Sequence, residues 1–534
     1  MTRTTESRAS SQWAVASGRR AAAGPSAVWF RAAWLGGLVL AVGACAPARM
    51  ASRSATGSVT GHSPLATGHL PTGPAANLAH LDFLGEDVVL PGAPTDTLRF
   101  VHIYAEAPDW RFVGDDDEGI ACVDDAARAA VVYLRHYELT RSERSRRTAV
   151  KLLRFVRHQQ APNGLFYNFI WDRALRPNTE HPNSVPVHSW WAARAVWALG
   201  TGARVLAGSP EAAADIGALR RLDSHLDNAL GSYGETREWR GRTFPEWFWA
   251  RGSDATSELL LGLISLERAA PTVAGTRRAQ QFAEALGMVR FGTLAETPYG
   301  GHAAWAEGWH GWGNSQTMAL AEGVGAGVLP PSALASAEAE ARTLYAHLLV
   351  EGWLHEINYA VTEYQGDRTD AARPASERAF EQIAYDVRPA AVGLVRLHEA
   401  TGDARYGVMA GLAAAWFAGD NPAGAVMADP ASGRGYDGIL APDRINGNAG
   451  AESTVEAQMT LLEAGQDAAA APWMHARGDA PRSGTAGGRA LRYRVWTAAG
   501  TPGRRAVVVL DAAADTSSVY VGPDADAFLA SLDP

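Results

Sequence analysis

The chain has 534 residues, of which 47% are hydrophobic, and a formal net charge of −9. The charge is spread along the chain without a basic block, which disfavours a nucleic-acid partner. The length is ample for a large single core. Because many of the 18 tryptophans fall in predicted loops, they favour a cleft that binds sugars or peptides.

Residues 1–44 have the pattern of an export signal. Several arginines precede the apolar run Ala33–Ala44, which has the length of a signal-peptide core and is too short to span a membrane. The run ends in Val-Gly-Ala before Cys45, which resembles the lipobox of bacterial lipoproteins. The resemblance implies that Cys45 is lipidated and that the mature protein is anchored in the cell envelope, at the outer membrane or the periplasmic face.

The composition changes again after the signal. Residues 45–77 are rich in Ser, Thr, Gly, Pro and Ala, which predicts a flexible tether. If Cys45 carries lipid, Cys122 is the other cysteine of the chain and an internal disulfide is excluded. The folded part must therefore be stabilised by its core alone.

Residues 78–466 show helical periodicity, with helices joined in pairs by short links. The predicted helices are about Val123–Leu139, Ser142–Gln160, His188–Leu206, Glu211–Leu230, Ser253–Ala270, Ala274–Val289, Ser315–Val324, Pro331–Leu349, Tyr385–Ala400, Ala404–Phe417 and Gly450–Ala464. A short element near Leu78 is the candidate for a twelfth helix. The first helix of each pair begins roughly every 65 residues, which is a helical-hairpin repeat.

This repeat resembles the six-hairpin glycosidase superfamily, whose fold is an (α/α)6 toroid. The resemblance implies an all-α domain over residues 78–466, in which six parallel inner helices bring their N-terminal ends and the long loops to one cleft. Residues 467–534 differ in character, and three short strands predict a small β appendage. These strands are Ala490–Thr497, Ala506–Leu510 and Ser518–Val521.

Each predicted inner helix begins with more polar and aromatic residues than capping requires. The most polar of these stretches is the glycine-rich loop from Gly435 to Glu452. The candidates for substrate binding are Asp124, Arg128, His188, Trp190, Glu246, Trp247, Trp309, His310, Trp312, Arg388, Asp437, Asn446 and Asn448. Tryptophan faces hold sugar rings, and the polar side chains bind hydroxyl groups.

Glycoside hydrolysis needs two carboxyl groups, one protonated and one ionised. Glu307 lies between Trp305 and Trp309, where burial would keep it protonated as the acid. The other candidates for catalysis begin helices, where the helix dipole favours the ionised form that a base or nucleophile needs. They are Asp125, Asp386 and Glu452.

The sequence therefore predicts an envelope-anchored glycoside hydrolase acting on an oligosaccharide, without a cofactor. No H-x-x-x-H or C-x-x-C pattern indicates a metal site. Two alternatives stay open on the same fold: a polysaccharide lyase or sugar epimerase that uses His188, His310 or Tyr385, and a non-catalytic glycan-binding lipoprotein. Arginines near the predicted cleft favour an anionic sugar. They are Arg128, Arg251, Arg388 and Arg434.

Overall fold

The computed structural model describes residues 76–90, 93–239, 241–305, 308–359, 375–500 and 503–533, which belong to one compact unit. The predicted signal peptide, Cys45 and nearly all of the predicted tether lie outside the described residues, and so does Glu307.

The described residues form long helices with short strands between them. The helices are α1 Ala79–Leu84, α2 Val123–Thr140, α3 Glu143–His158, α4 Trp190–Val205, α5 Pro210–Arg220, α6 Asp223–Ala229, α7 Ser253–Ala269, α8 Val273–Gly287, α9 Gln316–Gly325, α10 Leu334–Glu340, α11 Ala346–Glu351, α12 Ala384–Thr401, α13 Ala404–Ala414, α14 Ala451–Gln466 and α15 Pro523–Ala530. The strands are β1 Gly85–Leu90, β2 Ala93–Val101, β3 Tyr104–Glu106, β4 Arg111–Val113, β5 Ala121–Cys122, β6 Phe169–Ile170, β7 Thr236–Trp239, β8 Arg242–Pro245, β9 Arg290–Thr293, β10 Glu296–His302, β11 Gly308–His310, β12 Glu356–Asn358, β13 Ser376–Arg378, β14 Gly438–Ala441, β15 Arg444–Asn446, β16 Arg477–Gly478, β17 Arg482–Ala486, β18 Arg489–Thr497, β19 Arg505–Asp511 and β20 Thr516–Val521.

Six helices form a closed inner ring. Each of α2, α4, α7, α9 and α12 contacts the next inner helix, and α14 contacts α2. The second helix of each hairpin, α3, α5, α8, α10 or α13, packs on its inner partner. The short helix α1 contacts α14, at the place of the predicted twelfth helix. The fold is thus the (α/α)6 toroid that the repeat predicted.

The inner and outer helices differ in how they are buried. Helix α4 is buried at every position from Trp191 to Ala203, as expected for a helix surrounded by others. Helix α3 buries one face only, which includes Leu152, Phe155 and Val156. Helix α4 begins at Trp190 because the side chain of Ser189 accepts the backbone N–H of Ala192.

Two predicted helices are irregular, and the prediction of one continuous helix was wrong for the first of them. The segment predicted as 211–230 divides into α5 and α6. The segment predicted as 331–349 divides into α10 and α11, joined by a π-helical turn over Ala341–Tyr345. Such turns insert one residue without ending the helix, so hydrophobic spacing does not reveal them.

The predicted β appendage is a five-stranded antiparallel sheet in the order β16-β18-β19-β20, with β17 also paired to β18. Its strands contact α11 and α13. Trp496 and Val508 are buried in the same hydrophobic core as the toroid, and helix α15 packs on the sheet through Phe528. The sheet is therefore packed on the toroid. Among the described residues, no helix has both the length and the apolar character needed to cross a membrane.

Candidate active site

Three arginines meet inside the ring, one helical turn below the N-terminal ends of the inner helices. The guanidinium carbons of Arg128, Arg194 and Arg388 lie 4.7, 5.3 and 5.0 Å from the centre of the Tyr385 ring. The Tyr385 hydroxyl donates to Glu258 at 2.6 Å and accepts from Arg194 at 2.7 Å. All five side chains are nearly closed to solvent.

Two fully buried glutamates bridge these arginines in pairs. Glu456 lies 2.7 Å from Arg128 and 2.5 Å from Arg388. Glu258 lies 2.7 Å from Arg194 and 3.3 Å from Arg388. Because a buried charge is costly unless it is paired, these contacts make the cluster a connected ion network across five inner helices, α2, α4, α7, α12 and α14.

Two further carboxyl groups of this network reach the cleft. Asp124 Oδ1 and Glu452 Oε2 lie 3.0 and 3.2 Å from the same Nη2 atom of Arg128, so they are at most about 6.2 Å apart. Their side chains are 19% and 34% exposed, whereas Arg128 is 1% exposed. Arg194 also pairs with Asp124. Both side chains are therefore partly exposed, although Oδ1 of Asp124 is itself buried.

The environments of these two groups shift their pKa values in opposite directions. Burial raises the pKa of Asp124, but the charges of Arg194 and Arg128 outweigh burial and the net pKa is lowered. Burial raises the pKa of Glu452 to about 7, against Arg128 and with help from the neighbouring carboxylates. A low pKa beside a high one is the pattern of an acid/base pair.

The sequence predicted ionised carboxyl groups at the other helix starts, whereas burial shifts their pKa values upward. Burial raises the pKa of Asp125 to about 6, and burial also raises the pKa of Asp386 despite its contact with His355. Desolvation of these side chains outweighs the helix dipole, which acts weakly and over one turn. Glu452 follows the same rule, so its pKa is raised in the direction that was expected for Glu307.

A row of aromatic rings lies beside the network. The His310 ring stacks on Trp312, with 3.9 Å between the ring centres. The Trp305 ring centre lies 4.3 Å from that of His310, and the His355 ring centre lies 4.5 Å from that of Trp312. Nδ1 of His355 lies 2.9 Å from Oδ2 of Asp386. Trp305 and Trp312 are partly exposed, whereas His310 and His355 are buried.

Two contacts join this row to the network. Gly313 follows Trp312 with a φ of 69°, and a Cβ atom at this position would lie 3.2 Å from the Tyr385 hydroxyl. On the other side, Asp254 lies 3.4 Å from His310 and accepts the indole N–H of Trp190 at 2.7 Å. The row, the network and the partly exposed Trp190 therefore belong to one site.

Several residues predicted to bind substrate have no surface to offer it. Trp247 and Trp309 are buried, and the Trp247 indole donates to the backbone oxygen of Gln281. Arg388 and His310 are fully buried. The interpretation of these four side chains as contacts for sugar was wrong, because close packing encloses them.

The two remaining candidates, His188 before α4 and Glu246 before α7, contact other side chains. His188 stacks on Trp249 at 4.2 Å and lies 3.2 Å from His225. Glu246 is 40% exposed and pairs with Arg237 at 2.9 Å.

The polar residues of the loop before α14 position the loop itself. Asp437 accepts hydrogen bonds from the Gly450 N–H and the Ser453 hydroxyl. Asn448 accepts the backbone N–H of Ala107, and Asn446 accepts that of Asn448. These hydrogen bonds fix the loop up to Gly450, the residue before α14, and Glu452 lies in the first turn of that helix.

The residues that the sequence analysis missed sit one turn inside the inner helices. They are Arg194, Glu258 and Glu456, four residues after Trp190, Asp254 and Glu452. A charged residue in an otherwise apolar helix, four positions after a polar start, points to the same face as that start. This four-residue spacing could have indicated the three residues from the sequence. Among the described residues, no three His, Cys, Asp or Glu side chains are grouped as metal ligands.

Several solved structures match this chain in fold. A sugar epimerase from a ruminal bacterium is 12% identical, and the match covers 68% of this chain and 91% of that chain with a TM-score of 0.46. A D-mannose isomerase is 14% identical, with 68% and 91% covered and a TM-score of 0.47. A glycoside hydrolase family 9 endoglucanase is 15% identical, with 73% and 83% covered and a TM-score of 0.41.

These proteins have the six-hairpin, glycosidase-like (α/α)6 toroid that the sequence analysis named. At such low identity the likeness extends to the fold alone. No family model matches the chain, and no curated protein matches it.

Proposed function

We propose that the protein is a glycoside hydrolase that cleaves an oligosaccharide, with Glu452 as the general acid and Asp124 as the nucleophile. The observation that carries the proposal is the pair of partly exposed carboxyl groups on one guanidinium, with pKa values shifted in opposite directions. A glycosidic bond is hydrolysed by such a pair, one protonated and one ionised.

The geometry supports a two-step reaction. Glu452 donates its proton to the leaving oxygen while Asp124, kept ionised by Arg194 and Arg128, attacks the anomeric carbon. Glu452 then removes a proton from the water that releases the sugar. Carboxyl groups about 5–5.5 Å apart are typical of enzymes that retain the anomeric configuration, and about 6.5–9.5 Å of those that invert it. The upper limit of about 6.2 Å favours retention.

The walls of the cleft suit a sugar. Trp190, Trp305 and Trp312 are partly exposed beside the pair, and aromatic faces hold pyranose rings through their apolar sides. Arg128 contacts both carboxyl groups and is itself fixed by Glu456, so the pair is held in position before a substrate arrives.

The test is a panel of oligosaccharides, with the products identified by mass and their anomeric configuration followed by NMR. We expect products that have gained one water with the anomeric configuration retained. Glu452→Gln and Asp124→Asn should each lower turnover about 100-fold or more. Glu284→Gln, an exposed glutamate on the outer helix α8, is the matched control and should behave like wild type. Near-normal turnover by both site variants would exclude the proposal.

A second candidate function is sugar epimerisation, favoured by the contact of His355 with Asp386 beside Trp312. A histidine oriented by a carboxylate can remove a proton from carbon. In that case the product has the mass of the substrate in ordinary water and takes up deuterium from heavy water. The His355→Asn variant should form no such product, whereas Glu452→Gln should still form it.

A lyase reaction that uses Tyr385 has less support. Burial raises the pKa of Tyr385 well above its usual range, and its hydroxyl already donates to Glu258. Tyr385 is therefore unsuited to be the base of a lyase. Binding of an oligosaccharide without any product would indicate a glycan-binding protein.

A further inference from the structure

The opposite end of the ring holds a cavity of about 240 Å³ that the proposed hydrolysis does not use. All six inner helices contribute to its lining near their C-terminal ends. Along α2, its lining residue Arg135 lies eleven residues after Asp124, which is about 16 Å at 1.5 Å per residue. The cavity is therefore separate from the cleft.

Four arginines line the cavity, and two of them leave hydrogen-bond donors unused. Arg268 is exposed and makes no ion pair or side-chain hydrogen bond within the described residues. Arg204 binds Glu138 through both terminal nitrogens, but its buried Nε has no partner. The other two are Arg135 and Arg396.

The carboxylates around the cavity are already committed. Glu463 binds Arg135 through both oxygens, at 2.7 and 3.0 Å, and lies 2.8 Å from Arg396. Glu322 and Glu399 both pair with Arg396. Arg268 thus offers spare donors at the cavity, so a ligand that accepts hydrogen bonds matches it.

Apart from Thr201, the rest of the lining is apolar. Its apolar side chains offer carbon atoms for contact with a ligand, and they are those of Trp197, Met318, Met459 and Val131. The volume lies below the range of about 300–1,000 Å³ that is usual for pockets of drug-sized ligands. A guanidinium fork matches the geometry of a carboxylate or a phosphate.

We propose that this cavity binds a small organic oxyanion, a carboxylate or a phosphate ester of about the size of a monosaccharide. Arg268 binds the anionic group, and Trp197 with the two methionines contacts the carbon skeleton. The negative ends of the six helices oppose an anion, but they act only as partial charges.

The floor of the cavity touches the buried network. The Arg388 guanidinium carbon lies 5.6 Å from the centre of the Trp197 ring, and its Nη1 lies 3.7 Å from Sδ of Met318. One layer of side chains therefore separates the cavity from the arginine that binds Glu456.

Isothermal titration calorimetry on the full chain tests the site with four probes: glucuronate, glucose 6-phosphate, inorganic phosphate and neutral glucose. We expect one glucuronate or one glucose 6-phosphate to bind per chain, and we expect no binding of glucose at this cavity. Binding of glucuronate would identify the anionic group as a carboxylate, and binding of glucose 6-phosphate would identify it as a phosphate ester. Inorganic phosphate should bind more weakly because it makes no apolar contact. Arg268→Gln should weaken binding at least about tenfold, a loss of one charge-assisted hydrogen bond.

Two controls separate this site from others. Arg277→Gln removes an exposed arginine of the outer helix α8 and should bind as wild type does. Glu452→Gln should also bind as wild type does, because the cleft is remote, whatever its effect on catalysis. No binding of either organic anion at millimolar concentration, equal binding of glucose, or unchanged binding by Arg268→Gln would each overturn the proposal.

Discussion

At the scale of single residues, neighbouring carboxyl groups differ in pKa because they differ in exposure and in nearby positive charge. Asp124 and Asp125 are adjacent in sequence, yet their side chains are 19% and 5% exposed. Asp124 faces two arginines and has a lowered pKa, whereas the deeper Asp125 faces Arg128 and Cys122 and has a raised pKa. The direction of each shift follows from the balance of burial and nearby positive charge.

The first prediction at this scale concerns the pH dependence of activity. Glu452 must be protonated to act, so kcat/KM should fall as pH rises through about 7. Asp124 must be ionised, and because its pKa is lowered, the acid limb should lie below the usual range of an aspartate. A pH profile of the wild type checks both limbs. An alkaline limb that persists unchanged in the residual activity of Glu452→Gln would assign it to another group.

The second prediction concerns stability. Burial raises the pKa of Glu463, but Arg135 and Arg396 lower it to about 2, below its unfolded value of 4.5. The ionised side chain therefore stabilises the fold above pH 4.5, and this contribution is lost as pH falls through about 2. Glu463→Gln should lower the free energy of unfolding at neutral pH by about 3–5 kcal/mol, because two arginines lose a buried partner.

Urea unfolding at several pH values measures this effect. Glu399→Gln is the matched control, since Glu399 pairs with the same Arg396 but is 54% exposed, and it should change stability by about 1 kcal/mol or less. Equal effects of the two variants would contradict the account of the buried pair. So would a deficit for Glu463→Gln that does not shrink at acid pH.

At the scale of elements, α4 and α7 approach each other through glycine. A Cβ atom at Gly200 would collide with the carbonyl oxygen of Gly262, and one at Gly262 with the backbone of Val196 and Trp197. The second turns of both helices carry network residues, Arg194 and Glu258. The close approach therefore helps to bring these two side chains to 2.7 Å.

Gly262→Ala should accordingly lower the free energy of unfolding by about 1–3 kcal/mol through overpacking. Gly287→Ala, at the end of the outer helix α8, meets no atom within 4 Å and should be neutral or slightly stabilising. Chemical denaturation of both variants makes the comparison. A neutral Gly262→Ala would mean that the two helices can separate without cost.

Helical periodicity was enough to predict the elements of the ring. All eleven predicted helical segments are present, two of them irregular, and most helix ends fall within two residues of the prediction, because each apolar stripe is long and ends at a capping residue. The depth of each polar side chain could not be predicted, since it depends on six helices that are distant in sequence. This explains why the sequence predicted Trp247 and Trp309 as sugar platforms, although both are buried.

At the scale of the whole molecule, the two ends of the ring differ in chemistry. The N-terminal ends of the inner helices carry the network and the proposed carboxyl pair, and the C-terminal ends carry the arginine-lined cavity. The β sheet is fixed to the toroid by Trp496 and Arg494, which both bind Asp420. We thus propose one function for each end of the ring: hydrolysis at the N-terminal ends of the inner helices and anion binding at their C-terminal ends.

The predicted lipid anchor belongs to this scale and remains a proposal, because Cys45 lies outside the described residues. We expect wild type to be acylated at Cys45 and recovered with membranes after cell fractionation. Cys45→Ser should be unprocessed or released from membranes. Cys122→Ser is the control for loss of a cysteine. If Cys45→Ser is processed and fractionates as wild type does, the lipobox interpretation is wrong.

The central claim is that Glu452 and Asp124 act as acid and nucleophile, and leaving-group dependence tests it most directly. Turnover of the natural oligosaccharide is compared with that of a dinitrophenyl glycoside of the same sugar, whose leaving group needs no proton. The account predicts that Glu452→Gln loses about 100-fold or more on the oligosaccharide but keeps most of its activity on the dinitrophenyl glycoside. Asp124→Asn should lose both activities. Equal losses of the two substrates in Glu452→Gln, or full activity of Asp124→Asn on either substrate, would contradict the assignment.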